Sequence, residues 1–101
     1  MATLYISEFA RAAIDSQGQE IPAPDWEYLV AEQSVNIGVS STQSNALNST
    51  TRFVLLSMDA ACSLAYGANP TAVTTAHRCA TNEVRFYGAG GGKKLAVIAN
   101  T

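Results

Sequence analysis

The chain has 101 residues, 48% of them apolar and 14% charged, with a net charge of −2. That length suits one domain, 1–101, and the apolar share excludes a disordered chain, which shows the reverse balance. Soluble domains usually carry about 25% charged residues, so here Ser, Thr, Asn, Gln and Ala must cover most of the surface. Few ionic groups then lose hydration on contact, which suits a long-lived protein interface. A neutral, Ser/Thr-rich β-protein has the same composition.

Arg11, Arg52, Arg78 and Arg85 are scattered, and only Lys93 and Lys94 are adjacent. A surface that tracks phosphates needs clustered cations, so no nucleic-acid partner is expected. No apolar run approaches the ~20 residues of a membrane helix. The start shows no basic segment followed by an apolar stretch, so neither membrane insertion nor direct export is expected.

The first strand is expected over 3–7, with Leu4 and Ile6 on one face and Tyr5 on the other. Residues 8–14 read as a short helical turn or an irregular arm. Gly18, Pro22 and Pro24 make 15–25 a loop or extended edge segment, because proline cannot donate to a ladder. Residues 1–25 together are therefore a candidate N-terminal arm. A strand is expected over 27–32, and Val35, Ile37 and Val39 alternate with polar residues as in a half-buried strand. The polar stretch 40–51 reads as turns, with a short edge strand around Ala46 and Leu47.

The continuous apolar run 52–58 suggests a central strand covered on both faces. Asp59 and Ala60 read as a tight hairpin turn into a strand over 61–66. G-A-N-P at 67–70 is a turn signal. Strands are also expected over 71–75, 77–80, 84–87 and 95–99. About eight short strands with turn signals every 8–12 residues point to an all-β, single-domain sandwich of jelly-roll or Greek-key type.

Candidate chemistry is sparse. The glycine run 88–92 before Lys93 lacks the spacing and the Ser or Thr of a phosphate loop, so it reads as a flexible hairpin between Tyr87 and Leu95. His77 and Cys79 could place two metal ligands on one strand face, but a structural zinc site needs four. His77 is the only histidine, and no nucleophile elbow accompanies it. No spacing selects a carboxylate pair. No enzyme activity and no cofactor or metal is expected. Cys62 and Cys79 read as reduced thiols packed as small hydrophobes, with a bridge open to them if their strands are neighbours. Trp26, Tyr5, Tyr28, Tyr66 and Tyr87 read first as sheet packing and second as binding anchors. Asn48-Ser49-Thr50 reads as a polar loop.

Two stretches carry a resemblance: T-R-F-V-L-L-S-M-D-A-A-C-S-L-A-Y-G-A-N-P-T-A at 51–72 and N-E-V-R-F-Y-G-A-G-G-G-K-K-L-A-V-I-A-N at 82–100. With the opening A-T-L-Y-I-S-E-F, they resemble small structural proteins of tailed bacteriophages. The resemblance does not extend to 12–25. It implies a virion structural protein, foremost a capsid decoration (cement) protein. It further implies a homo-dimer or homo-trimer on the capsid surface, made in the host cytoplasm, whose partner is the major capsid protein or another virion protein. A head–tail joining, tail or fibre-associated role is the alternative, and a small carbohydrate- or ligand-binding β-domain is the alternative from another class. The candidate interface is Leu4, Tyr5, Ile6, Phe9, Trp26 and Tyr28, with the arm adding a strand to a neighbour.

Overall fold

In the computed structural model the strands are, in chain order, β1 (Thr3–Phe9), β2 (Ala12–Ile14), β3 (Glu20–Pro24), β4 (Leu29–Asn36), β5 (Thr42–Gln43), β6 (Phe53–Met58), β7 (Cys62–Gly67), β8 (Arg78–Cys79), β9 (Val84–Gly88) and β10 (Lys94–Ala99). The structure describes residues 2–75 and 77–100; Met1 and Thr101, the ends of the expected domain, lie outside the described residues. Two antiparallel four-stranded sheets, ordered β4-β1-β6-β9 and β5-β10-β7-β8, pack as a sandwich, and β2 and β3 form a separate ribbon. From β4 to β7 and again from β8 to β10, each connection crosses from one sheet to the other. This is jelly-roll winding, and it accounts for the short, evenly spaced strands of the sequence.

The core forms where the alternating apolar faces meet. Leu4, Ile6, Val35, Val54, Leu56 and Met58 of the first sheet face Cys62, Leu64, Cys79, Leu95 and Val97 of the second. Glu8 is also buried. Its Oε1 accepts from the Asn48 amide (2.7 Å) and the Thr51 hydroxyl (2.8 Å), and its Oε2 from Gln33 Nε2 (3.2 Å). A buried carboxylate needs such partners, and here they tie β1 to β4 and to the 44–51 loop.

Several expectations need correction. Thr3–Phe9 is an interior strand, paired with β4 on one side and β6 on the other, and not an arm. Its alternation runs on through Glu8 and Phe9, where a helical turn was expected. The 15–25 segment is the turn and second strand of the β2–β3 ribbon, followed by a 3-10 turn, Trp26–Tyr28, which Asp25 caps by accepting from the Glu27 amide. The two strands expected at 27–32 and 35–39 are one strand, β4; Ile37 is buried beyond its end while Val39 is exposed. The edge strand forms at β5, and Leu47 is buried in a loop.

The turn at Asp59 and Ala60 is not a hairpin, because β6 and β7 belong to different sheets. Asp59 accepts there from the Thr3 amide at 2.6 Å. β6 is an interior strand, but its outer residues Phe53, Leu55 and Ser57 are only half-buried. The glycine run is no flexible hairpin either. It crosses between sheets and packs against the 47–52 segment: Ala89 donates to the Arg52 carbonyl (2.8 Å) and Gly92 to that of Leu47 (3.0 Å). A Cβ on Gly91 would stand 2.6 Å from the Asn48 carbonyl oxygen, which is why glycine is needed at that position.

Residues 71–75 form no strand. The 68–75 connection lies over the outer face of the second sheet instead. Ala72 donates to Ser41 Oγ, Gln43 Nε2 donates to the Pro70 carbonyl, and Asn100 Nδ2 bridges Ser63 Oγ and the Thr74 carbonyl. Pro70 and Ala72 are buried against it.

Candidate functional site

The outer face of the first sheet is built by register. Tyr5 stands opposite Ser34 and Ser57, and Ser57 opposite Val84. Ser7 stands opposite Glu32 and Leu55, and Leu55 opposite Phe86. Phe9 stands opposite Phe53, whose ring stacks on Phe86 with centroids 5.2 Å apart. The face therefore mixes large apolar side chains with serines. Tyr5 is 52% exposed and Val84 60%. At one end Trp26, 64% exposed, meets the buried Phe9 ring edge-on at 5.4 Å. Arg11 lies 4.2 Å over the Tyr28 ring and 3.8 Å from the Asp25 carboxylate, which fixes that turn against the ribbon.

The six residues proposed as an interface thus divide. Tyr5, Trp26 and Tyr28 are exposed, whereas Leu4, Ile6 and Phe9 are buried and offer nothing to a partner. Leu4 and Ile6 point into the sandwich because the period-2 alternation puts them opposite Tyr5. Missed in the sequence were Val84, Leu55 and Phe86. The alternation of Val84 and Phe86 against Arg85 and Tyr87 was legible, but which pair points outward is set by pairing with β6. Arg85 and Tyr87 stand opposite Leu56 and Val54 and take the inner side; Val84 and Phe86 take the outer.

Of these two inner side chains Tyr87 borders an apolar cleft of about 290 Å³ between the sheets, lined also by Val54, Leu56, Leu64, Leu95 and His77. The Tyr87 hydroxyl and His77 Nε2 share a hydrogen bond, and Tyr66 Oη accepts from the Gly90 amide at 2.6 Å. Arg85 Nε donates to Glu83 Oε2 at 2.7 Å, which holds the Glu83 carboxyl below its ordinary range. Burial raises Tyr87. His77 has Tyr87 as its partner rather than a carboxylate, so the geometry of a triad is not assembled around it. No three His, Cys, Asp or Glu side chains converge among the described residues. Glu8 and Glu32 both border a shallow depression at the β4 edge, but adjacent register positions send them to opposite faces, and Glu8 is fully engaged in the core.

Cys62 and Cys79 are register partners across β7 and β8, both buried and both free thiols. Burial pushes the Cys62 thiol up to about 11. Burial raises Cys79 as well, opposed by the nearby Arg85 cation. Such thiols react slowly, because the thiolate is the nucleophile.

No protein-family model, curated protein or solved structure matches the chain.

Proposed function

We propose that this is a structural protein of a tailed-phage virion, acting as a capsid decoration protein that docks on the major capsid protein and stabilises its lattice. The observation that carries this reading is the open outer face of the first sheet, where Tyr5, Val84 and Trp26 remain exposed among serines. Exposed aromatic rings in a row with few charges are what interface cores are made of, and the charges here, Glu32 and the Arg11–Asp25 pair, lie to the side of Tyr5 and Val84 as a rim. The phage-like segments 51–72 and 82–100 support the same reading, since they build β6, β7, β9 and β10. The rigid sandwich supplies a body and the face supplies the contact.

The test is binding of the purified chain to capsids stripped of accessory proteins, followed by electron cryo-microscopy. The expected result is saturable, regularly spaced density with the Tyr5 face against the shell. Density confined to the head–tail joint, tail or fibres would assign the joining or tail role instead. No virion binding would remove the reading. The exposed Trp26 ring favours one further reading, a carbohydrate platform, which a glycan array decides.

A further inference from the structure

We propose that Cys62 and Cys79 are a latent cross-strand disulfide site, which locks the β8 edge and the loop that leads to it onto β7 when the chain meets an oxidising environment. The inference does not depend on the virion role.

The placement is specific. Cys62 is the register partner of Cys79, and Ser63 that of Arg78. Leu64 donates its amide to the His77 carbonyl at 3.0 Å, so by alternation the cysteines occupy a hydrogen-bonded pair. The Cα atoms of such a pair lie about 5.5 Å apart, inside the usual disulfide range of about 4.4–6.8 Å; their Cβ atoms, up to about 5.5 Å apart, must close to about 3.5–4.5 Å, a movement that the two-residue β8 edge supplies. Directly opposed residues also point to the same face, here the core, and Cys79 is near enough to help raise the Cys62 thiol, after burial. Two apolar side chains would serve the core equally well at these positions.

Closing the bridge requires access, and the fold provides it at β8. That strand has two residues, sits at a sheet edge and pairs only with β7. Short edges open locally without global unfolding. The oxidant is a low-molecular-weight disulfide. Cys79, on the strand that opens, loses its proton and attacks one sulfur of that disulfide. A mixed disulfide forms and one small thiolate departs. The Cys62 thiolate then attacks the Cys79 sulfur and expels the second small thiolate, and the two protein protons pass to the departing thiolates. Two protein thiols are oxidised by two electrons and one small disulfide is reduced to two thiols. In a reducing cytosol the pair stays open; outside it the bridge persists.

The consequence is mechanical. The bridge closes a loop over residues 63–78, which contains the segment that covers the outer face of the second sheet. Constraint of the unfolded chain should raise Tm by roughly 5–15 °C.

The test is refolding of the full chain in a glutathione redox buffer to equilibrium, so that burial of the thiols cannot block reaction. Thiols are then alkylated under denaturing conditions and the intact mass is measured. The expected product is two hydrogens lighter, takes up no alkylating agent and melts higher than the reduced chain. Cys62→Ala and Cys79→Ala should each abolish both the mass change and the Tm shift between buffers. A folded product with two alkylatable thiols, or with glutathione attached to one of them, would overturn the proposal. So would a bridged product that melts lower than the reduced one, because the bridge would then strain the edge and not lock it.

Discussion

The two sheets treat their outer faces in opposite ways. The second sheet turns outward the small residues Ser63, Ala65 and Ala96 beside Ile98, and the chain folds its own 68–75 connection over part of that face; Ser63 and Ala96 are wholly inaccessible. The first sheet turns outward Tyr5, Leu55, Phe86 and Val84, and among the described residues nothing hides Tyr5 or Val84. Size explains the first arrangement, because a loop can approach a sheet closely only over small side chains. The second arrangement inverts the usual economy of a surface, where the large apolar side chains would be the ones to cover. The difference separates a face that the chain covers itself from a face left open, the one the proposed capsid contact would use.

The largest effect is expected where the sheets are joined. At the glycine corner between β9 and β10, Gly91→Ala would set a Cβ 2.6–2.7 Å from Asn48 and Ser49 backbone atoms. Backbone cannot swing aside as a side chain can, so the corner must shift. We expect a loss of about 2–4 kcal/mol in urea unfolding. Loss of well under 1 kcal/mol would show that the corner is soft and that the two faces are not held in fixed relation.

Next comes the covered face itself. Ala96→Leu inserts bulk beneath the 68–75 segment and should cost about 1–3 kcal/mol, with faster proteolysis inside that segment. Ser57→Leu, at the matching outer position of β6, should change stability by no more than about 0.5 kcal/mol. Equal costs at the two positions would erase the contrast between the faces.

The sandwich was legible because it rests on alternation. Val54, Leu56 and Met58, Leu95 and Val97, and Leu4 and Ile6 declare their faces in sequence, and each points into the core. Connections were not legible, because alternation says nothing about which strand a strand pairs with. Asp59-Ala60 and the glycine run look like hairpins, and only the sheet order shows that both cross between layers. The candidate face was half legible for the same reason. Tyr5, Trp26 and Tyr28 stand out by residue type, but Val84 and Phe86 become outward residues only through pairing with β6. Leu4, Ile6 and Phe9 were drawn into the interface by treating 1–25 as an arm, and β1 proved to need two neighbours.

A smaller effect comes from the inner side of β7, β8 and β9. The Cys62 thiol is raised from 9.0 to about 11, first by burial, and burial also raises Cys79 and Tyr87. Between pH 9 and about 11 the unfolded chain releases protons that the folded chain keeps. Stability is therefore fully present below pH 9 and declines as pH rises through that window. Urea midpoints of the reduced chain across the window should fall, and the fall should be shallower in Cys62→Ala. An unchanged slope in that variant would mean that Cys62 is not protected in the folded state.

The smallest effect on stability and the largest on partnership should come from the open face. Tyr5 and Val84 lie in one row across the sheet, separated by Ser57, and each is more than half exposed. Tyr5→Ser and Val84→Ser remove apolar surface that the folded chain does not bury, so their combined effect on unfolding should stay within about 0.5 kcal/mol. The same change removes a ring and a branched side chain from the centre of the proposed contact. A central aromatic hot spot contributes about 2 kcal/mol or more, so loss of the Tyr5 ring should lower capsid affinity at least about tenfold. Sedimentation at micromolar concentration tests a second consequence, because the low-charge surface also favours a dimer or trimer. If that oligomer forms through this face, it should dissociate in the double variant; an intact oligomer with lost capsid binding would separate the two contacts. Unchanged capsid binding with unchanged folding would show that the open face is only a surface, and the contrast between the sheets would then carry no function.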